Sequence, residues 1–185
     1  MKLLRIVSIL LLSVLGFAAC DTDSVEPDIA LVQAVNTDNV KAVKYFLSHN
    51  SDPNMKDKNG TPLITLATVK HNPAMIKRLI KAGARVDEPN AIGQTALMLA
   101  SNNDNLASMK VLLSYNANVN ALSDGGSTAL MYASFQGHDK AVKLLIKNGA
   151  DVNITNEYGD TALISASAYQ HNDIIDMLKR AGATR

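Results

Sequence analysis

The chain has 185 residues and a mass of 19.8 kDa; 47% of the residues are hydrophobic and 19% charged, enough for a packed core and too apolar for intrinsic disorder. Eighteen basic and 17 acidic side chains give a formal charge of +1, which excludes bulk phosphate neutralisation as the main task. The absence of Trp, with only three Phe, argues against a base-stacking platform, and a single Cys excludes a disulfide framework or a Cys-rich zinc site.

The chain opens Met1-Lys2-Leu3-Leu4-Arg5 and then runs uncharged from Ile6 to Cys20, with the small residues Ala18-Ala19 before the Cys. That is the layout of a secretory signal peptide over residues 1–19. A spanning helix needs about 20 apolar residues, so the 14 before Cys20 are marginal as a permanent anchor. Phe17-Ala18-Ala19-Cys20 resembles the lipobox of bacterial lipoproteins, although Phe17 replaces the usual aliphatic residue. The resemblance implies that Cys20 is lipidated and becomes the mature N-terminus. Two or three acyl chains there would anchor the chain stably, whereas one would not. Asp21 resembles an inner-membrane retention signal, a weak pointer to one of the two membranes. The expected location is the bacterial envelope, facing the periplasm. Residues 20–27 form a short acidic leash, and without Lys2 and Arg5 the mature chain carries 16 basic and 17 acidic side chains.

From residue 28 onward the sequence repeats every 33 residues. Ala34, Ala67, Ala100, Ala133 and Ala166 form one column; Phe46, Leu79, Leu112, Leu145 and Leu178 form another. Gly60, Gly93, Gly126 and Gly159 form a third, and Asn54, Asp87, Asn120 and Asn153 a fourth. Asn50, Gly83, Asn116, Gly149 and Gly182 form a fifth. The repeat resembles the ankyrin family, through Thr95-Ala96-Leu97-Met98-Leu99-Ala100, its copies from Thr128 and Thr161, and Asn148-Gly149-Ala150-Asp151-Val152-Asn153. The implied fold is an all-α repeat, an ankyrin solenoid of about five helix-turn-helix units with protruding β-turn fingers. The units run approximately 28–56, 57–89, 90–122, 123–155 and 156–185. Two short helices cannot bury both faces alone, so stacking supplies the core. Thr61-Pro62-Leu63 follows Gly60 at once, which predicts a local irregularity in that turn. The family's motif His is replaced by Met, Ile or Thr, so its hydrogen bonds must come from elsewhere.

No motif for a phosphate-binding loop, a nucleophile elbow or a zinc protease occurs. Asp124-Gly125-Gly126-Ser127 falls at a finger position and reads as a turn. His138 and His171 share a column with Asn72 and Asn105, which predicts a capping or turn hydrogen bond and not metal binding. Lys44, Lys77, Lys110 and Lys143 form a column, with Asp176 ending it, that is expected to be a solvated outer face, the alternative being a basic stripe for anionic lipid or nucleic acid. Asn59-Gly60-Thr61 and Asn153-Ile154-Thr155 match a glycosylation triplet that carries no meaning in a bacterial lipoprotein. The reading therefore includes no enzyme activity, no cofactor, no metal and no nucleic acid.

The ankyrin resemblance implies that finger tips and the exposed side of each first helix grip a protein. At those positions Val69, Ile92, Gln94, Phe135, Tyr158 and Tyr169 are the candidate binding residues, because apolar and aromatic groups in solvent make good anchors. Met98 and Met131 are assigned to packing. The favoured function is a non-enzymatic protein–protein interaction module, tethered by lipidated Cys20 and binding an envelope or secreted protein; one form of it is an inhibitor or immunity partner. The alternatives are a small-ligand or enzymatic groove on the concave face, or a promiscuous chaperone-like envelope protein.

Overall fold

The computed structural model describes residues 27–184, so the proposed leader, Cys20 and most of the acidic leash lie outside the described residues. Ten helices among the described residues form five antiparallel pairs: α1 Pro27–Asn36 with α2 Val40–Ser48, α3 Leu63–Val69 with α4 Pro73–Lys81, α5 Ala96–Asn102 with α6 Leu106–Ser114, α7 Ala129–Gln136 with α8 Asp139–Lys147, and α9 Ala162–Ala168 with α10 Asn172–Arg180. Pro27, counted with the leash in the sequence, is the first residue of α1. None of these helices is long and apolar enough to cross a membrane.

Each helix is short because its ends are specified. Thr95, Thr128 and Thr161 cap α5, α7 and α9 through side-chain oxygens that accept from the N–H three residues on. In place of the family's motif His, the sulfur of Met98 accepts the N–H of Thr95 at 3.4 Å, closing a capping box. The second helices end in the fifth column, where Asn50, Gly83, Asn116, Gly149 and Gly182 all take the left-handed conformation.

Burial follows the columns. Every Ala of the first column is buried, as are Leu31, Ile64, Leu97, Leu130 and Leu163 beside it. Small Ala side chains let first helices approach each other closely, and first helices pack against one another more extensively than second helices do. The Phe46–Leu178 column fills the space between layers and is buried throughout. Thr65, Met98 and Met131 occupy one buried column; Ile164, next in it, is exposed on the last pair.

A polar latch joins successive units. The side-chain oxygen of Asn54 accepts the Arg85 N–H at 2.8 Å while its amide donates to the Gly83 carbonyl at 3.2 Å. Asn120 makes the same two bonds to Asp151 and Gly149, and Asn153 to Thr184 and Gly182. Asp87 accepts the Asn118 N–H but has no amide to donate in return. Asp87→Asn should therefore add a bond to the Asn116 carbonyl and raise stability by about 0.5–1.5 kcal/mol. Urea unfolding followed by circular dichroism checks this, and a loss of stability would contradict the latch.

The expected irregularity after Gly60 takes the form of an isolated antiparallel bridge between Lys56 and Pro62, with the Leu63 N–H donating to the Met55 carbonyl at 3.1 Å, a pairing that no later finger among the described residues shows; the loop itself is regular. Asp57, Gly60 and Thr61 make the same turn bonds as the later fingers, and Gly60 has the same positive φ. Pro62, not a threonine, occupies the N-cap position of α3 and lacks a side chain able to cap it. The helix still begins in register because proline already supplies the extended conformation the position requires.

Candidate functional site

Four fingers, residues 57–61, 90–94, 123–127 and 156–160, project between successive pairs. Each closes by two main-chain bonds, such as Asn90 N–H to Gln94 O at 2.9 Å and Gly93 N–H to Asn90 O at 3.1 Å. A short polar side chain at the first position holds the loop from within. The Asn90 oxygen accepts from Ile92 and Gln94 N–H, and the Asn156 oxygen from Tyr158 and Asp160 N–H. Asp57 does the same for Asn59 and Thr61, and the Ser123 hydroxyl accepts from Ser127. Burial pushes the Asp57 carboxyl up, but the N–H donors of Thr61 and Asn59 outweigh it and hold the group below its ordinary value of 3.8. Neighbouring tips are also joined, by Asp124 N–H to Ile92 O at 3.3 Å and Glu157 N–H to Gly125 O at 3.2 Å. The tips of the last three fingers are thus one rail.

The candidate residues fall on this rail and on the ends of the first helices. Ile92 and Tyr158 occupy the same finger position two units apart; Tyr158, 85% exposed, is the most exposed large hydrophobic side chain of the described residues. Val69 and Phe135 share the last turn of α3 and α7, and both project into solvent. Tyr169 caps the end of α9 and meets Phe135 edge to face, with centroids 4.5 Å apart and planes at 65°. These two are brought together, whereas Val69 stands on the second pair and Ile92 on the second finger. Gln94 is not free: its amide donates to the Tyr132 hydroxyl at 2.9 Å, and its oxygen accepts from Asn90. It braces the groove wall.

Between the fingers and α7 and α9 lies an open cleft of about 290 Å³, lined by Asn102, Ser127, Met131, Tyr132, Phe135, Asn156, Asp160 and Ser165. Tyr132 is a wall residue that the sequence reading passed over; its signal was a Tyr in a column otherwise holding Leu66, Leu99 and Ser165. Leu122 and Ile164 are further exposed apolar side chains that it did not select.

His138 and His171 sit at the N-caps of α8 and α10 but make no side-chain cap bond, contrary to the capping expectation. Their Nε2 atoms reach back one unit, to the Asn102 carbonyl at 2.9 Å and the Phe135 carbonyl at 3.1 Å. The outer ring nitrogen reaches farther than an Asn side chain can and ties each unit to the one before. Asn39, Asn72 and Asn105 in the same column do cap, at 2.8–3.1 Å. Among the described residues, no three His, Cys, Asp or Glu side chains gather as a metal site would require.

A family model described as ankyrin repeats (3 copies) matches residues 3–90, 31–123, 65–156 and 121–184. The chain belongs to the ankyrin-repeat family. Ankyrin repeats indicate a protein–protein interaction module, and proteins built from them are typically non-enzymatic. On this ankyrin stack the aromatic pair stands beside the cleft, with Phe135 lining it.

Proposed function

We propose that this protein is a lipid-tethered binding module of the bacterial envelope, gripping one envelope or secreted protein with its finger rail and concave face. The observation that carries the reading is the Phe135–Tyr169 pair, two aromatic rings half exposed at the lip of a cleft in a structure whose other large apolar groups mostly form the core. Exposed, pre-positioned aromatics of this kind lose little conformational entropy on binding. Cys20 holds the module to the bilayer. The six residues between it and α1, Asp21 to Glu26, span at most roughly 21 Å, which keeps the solenoid near the membrane. The target is an envelope or secreted protein, and blocking a toxic enzyme there is one specific form of the role.

Two variants test the two halves of this reading. Cys20→Ser should move the protein from the membrane to the soluble fraction; unchanged membrane attachment would remove the lipid anchor. Phe135→Ala with Tyr169→Ala should weaken capture of the partner by at least about tenfold, as expected for losing two anchors worth about 1–2 kcal/mol each. Helical content should stay unchanged, since both side chains project into solvent.

A further inference from the structure

We propose that the layer of second helices, on the side away from the fingers, is a docking surface for an anionic phospholipid bilayer. Each second helix presents a stripe with i, i+3, i+4, i+7 spacing to the outside: positions 41, 44, 45 and 48 in α2, and their equivalents one repeat on. Lys41, Lys44, Lys77, Arg78, Lys81 and Lys110 occupy α2, α4 and α6, and these helices contain no carboxylate. The five lysines are exposed. Among the described residues the only ion pairs are those of Glu88 with Lys56 and Arg85, so none of the six cations is neutralised within the fold.

The stripe continues through α8, where Lys140, Lys143 and Lys147 face a single Asp139, and fades at α10, where Asp173 and Asp176 balance Lys179 and Arg180. Among the described residues only Asp139, Asp173 and Asp176 place a carboxylate in a second helix; Asp57, Asp124, Glu157 and Asp160 belong to fingers, and the others to α1 and the connecting loops. The near-zero total charge therefore conceals a separation across the stack, basic on the helix layer and acidic on the last two fingers.

Charge complementarity and shape select the occupant. Helices packed side by side at about 10 Å make a broad, shallow surface. Its cations are mostly lysines, mobile point charges suited to an array of lipid headgroups and not to forked readout of a fixed phosphate. The one aromatic ring on these stripes, Tyr45, is half-buried and stacked on His49, and the open cleft of about 310 Å³ between α8 and α10 is lined by Asp139, Asp173 and Asp176, which repel a nucleic-acid phosphate. Each lysine close to an anionic leaflet strengthens association about fivefold, an effect confined to roughly a Debye length. Docked this way, the solenoid lies flat with its fingers and cleft turned toward the aqueous side. The inference does not depend on the partner or on lipidation of Cys20.

The test is co-sedimentation of the full-length chain with vesicles of phosphatidylcholine alone, or with added phosphatidylglycerol. The apolar part of the leader contributes to both vesicles, and Lys2→Gln/Arg5→Gln is introduced in every chain compared, so that the preference reports the helix layer. The expected result is at least about a tenfold preference for phosphatidylglycerol at low salt, disappearing by about 0.5 M salt. Lys44→Glu/Lys77→Glu/Lys110→Glu should abolish that preference with unchanged circular dichroism, while Lys58→Glu/Lys70→Glu, on the finger side, should keep it. Equal partition onto both vesicles, or a preference that survives the triple change, would overturn the proposal. So would displacement from the vesicles by duplex DNA at equal phosphate concentration, which would assign the face to nucleic acid.

Discussion

Leu112→Ala is expected to lower the unfolding free energy by about 2–5 kcal/mol, the usual result of emptying a fully buried leucine site. Leu112 is 0% exposed in α6, the second helix of the middle pair, with α4 on one side and α8 on the other. In a stack whose units contact only their neighbours, a cavity at the centre weakens two interfaces at once and leaves the two ends connected through a damaged unit. Urea unfolding of the variant should therefore broaden or separate into two steps, where the parent unfolds more cooperatively. Lys110→Ala, on the exposed side of the same helix, should change stability by no more than about 0.5 kcal/mol. A similar cost for the two substitutions would contradict the assignment of the repeating Leu column as the mortar of the stack.

Gly93→Ala is expected to cost about 2–5 kcal/mol, more than the same change at Gly159. Both glycines have positive φ, +72° and +78°, so each substitution incurs the left-handed strain of about 1–2 kcal/mol. A methyl group at Gly159 meets nothing, whereas at Gly93 it would overlap the backbone nitrogen and carboxylate of Asp124 on the next finger. Relieving that overlap requires the fingers to part and breaks the Asp124 N–H to Ile92 carbonyl bond. Thermal unfolding of the pair of variants measures the difference, which is the energetic value of close finger contact. Loss of the rail should also weaken partner capture in Gly93→Ala beyond its effect on stability. Equal costs at the two sites would show that the fingers stand independently.

The fold was legible because stacking imposes the same burial on the same column in every unit. Ala34 and its four successors must be small for helices to touch, and Leu112 and its relatives must be large to fill the layer. Capping was legible where the chemistry is short-range, as at Thr95 or Asn72, and misread at His138 and His171, whose rings span a longer distance to the preceding unit. The irregularity of the first finger was legible from its Thr-Pro-Leu, which stands one residue early, but its form was not, because the pairing of Lys56 with Pro62 is a backbone contact that spacing does not encode. Thr61 belongs to the turn and Pro62 to the cap, an assignment evident only from their hydrogen bonds. The column that builds the fingers escaped notice because Asp57, Asn90, Ser123 and Asn156 differ in type and share only an oxygen acceptor at the right reach.

The candidate site was legible one residue at a time but not as a surface. Val69, Asn102, Phe135 and Ala168 share a column yet have nothing chemically in common, because solvent-facing positions are not held by the stack. That Phe135 meets Tyr169 follows from the stacking of α7 on α9, and that Gln94 is engaged by Tyr132 follows from finger geometry; a period of 33 encodes neither. The charge separation was hidden in a similar way, since a net charge summed over the chain does not report which helix layer carries it.

The most direct test of a concave binding face is site-specific photo-crosslinking in living cells, with the reactive side chain placed at position 135 or 158 and, as a comparison, at position 143 on the outer helix layer. The account predicts one discrete protein adduct, common to 135 and 158 and absent from 143. A ladder of many adducts, or the same adduct at all three positions, would contradict it.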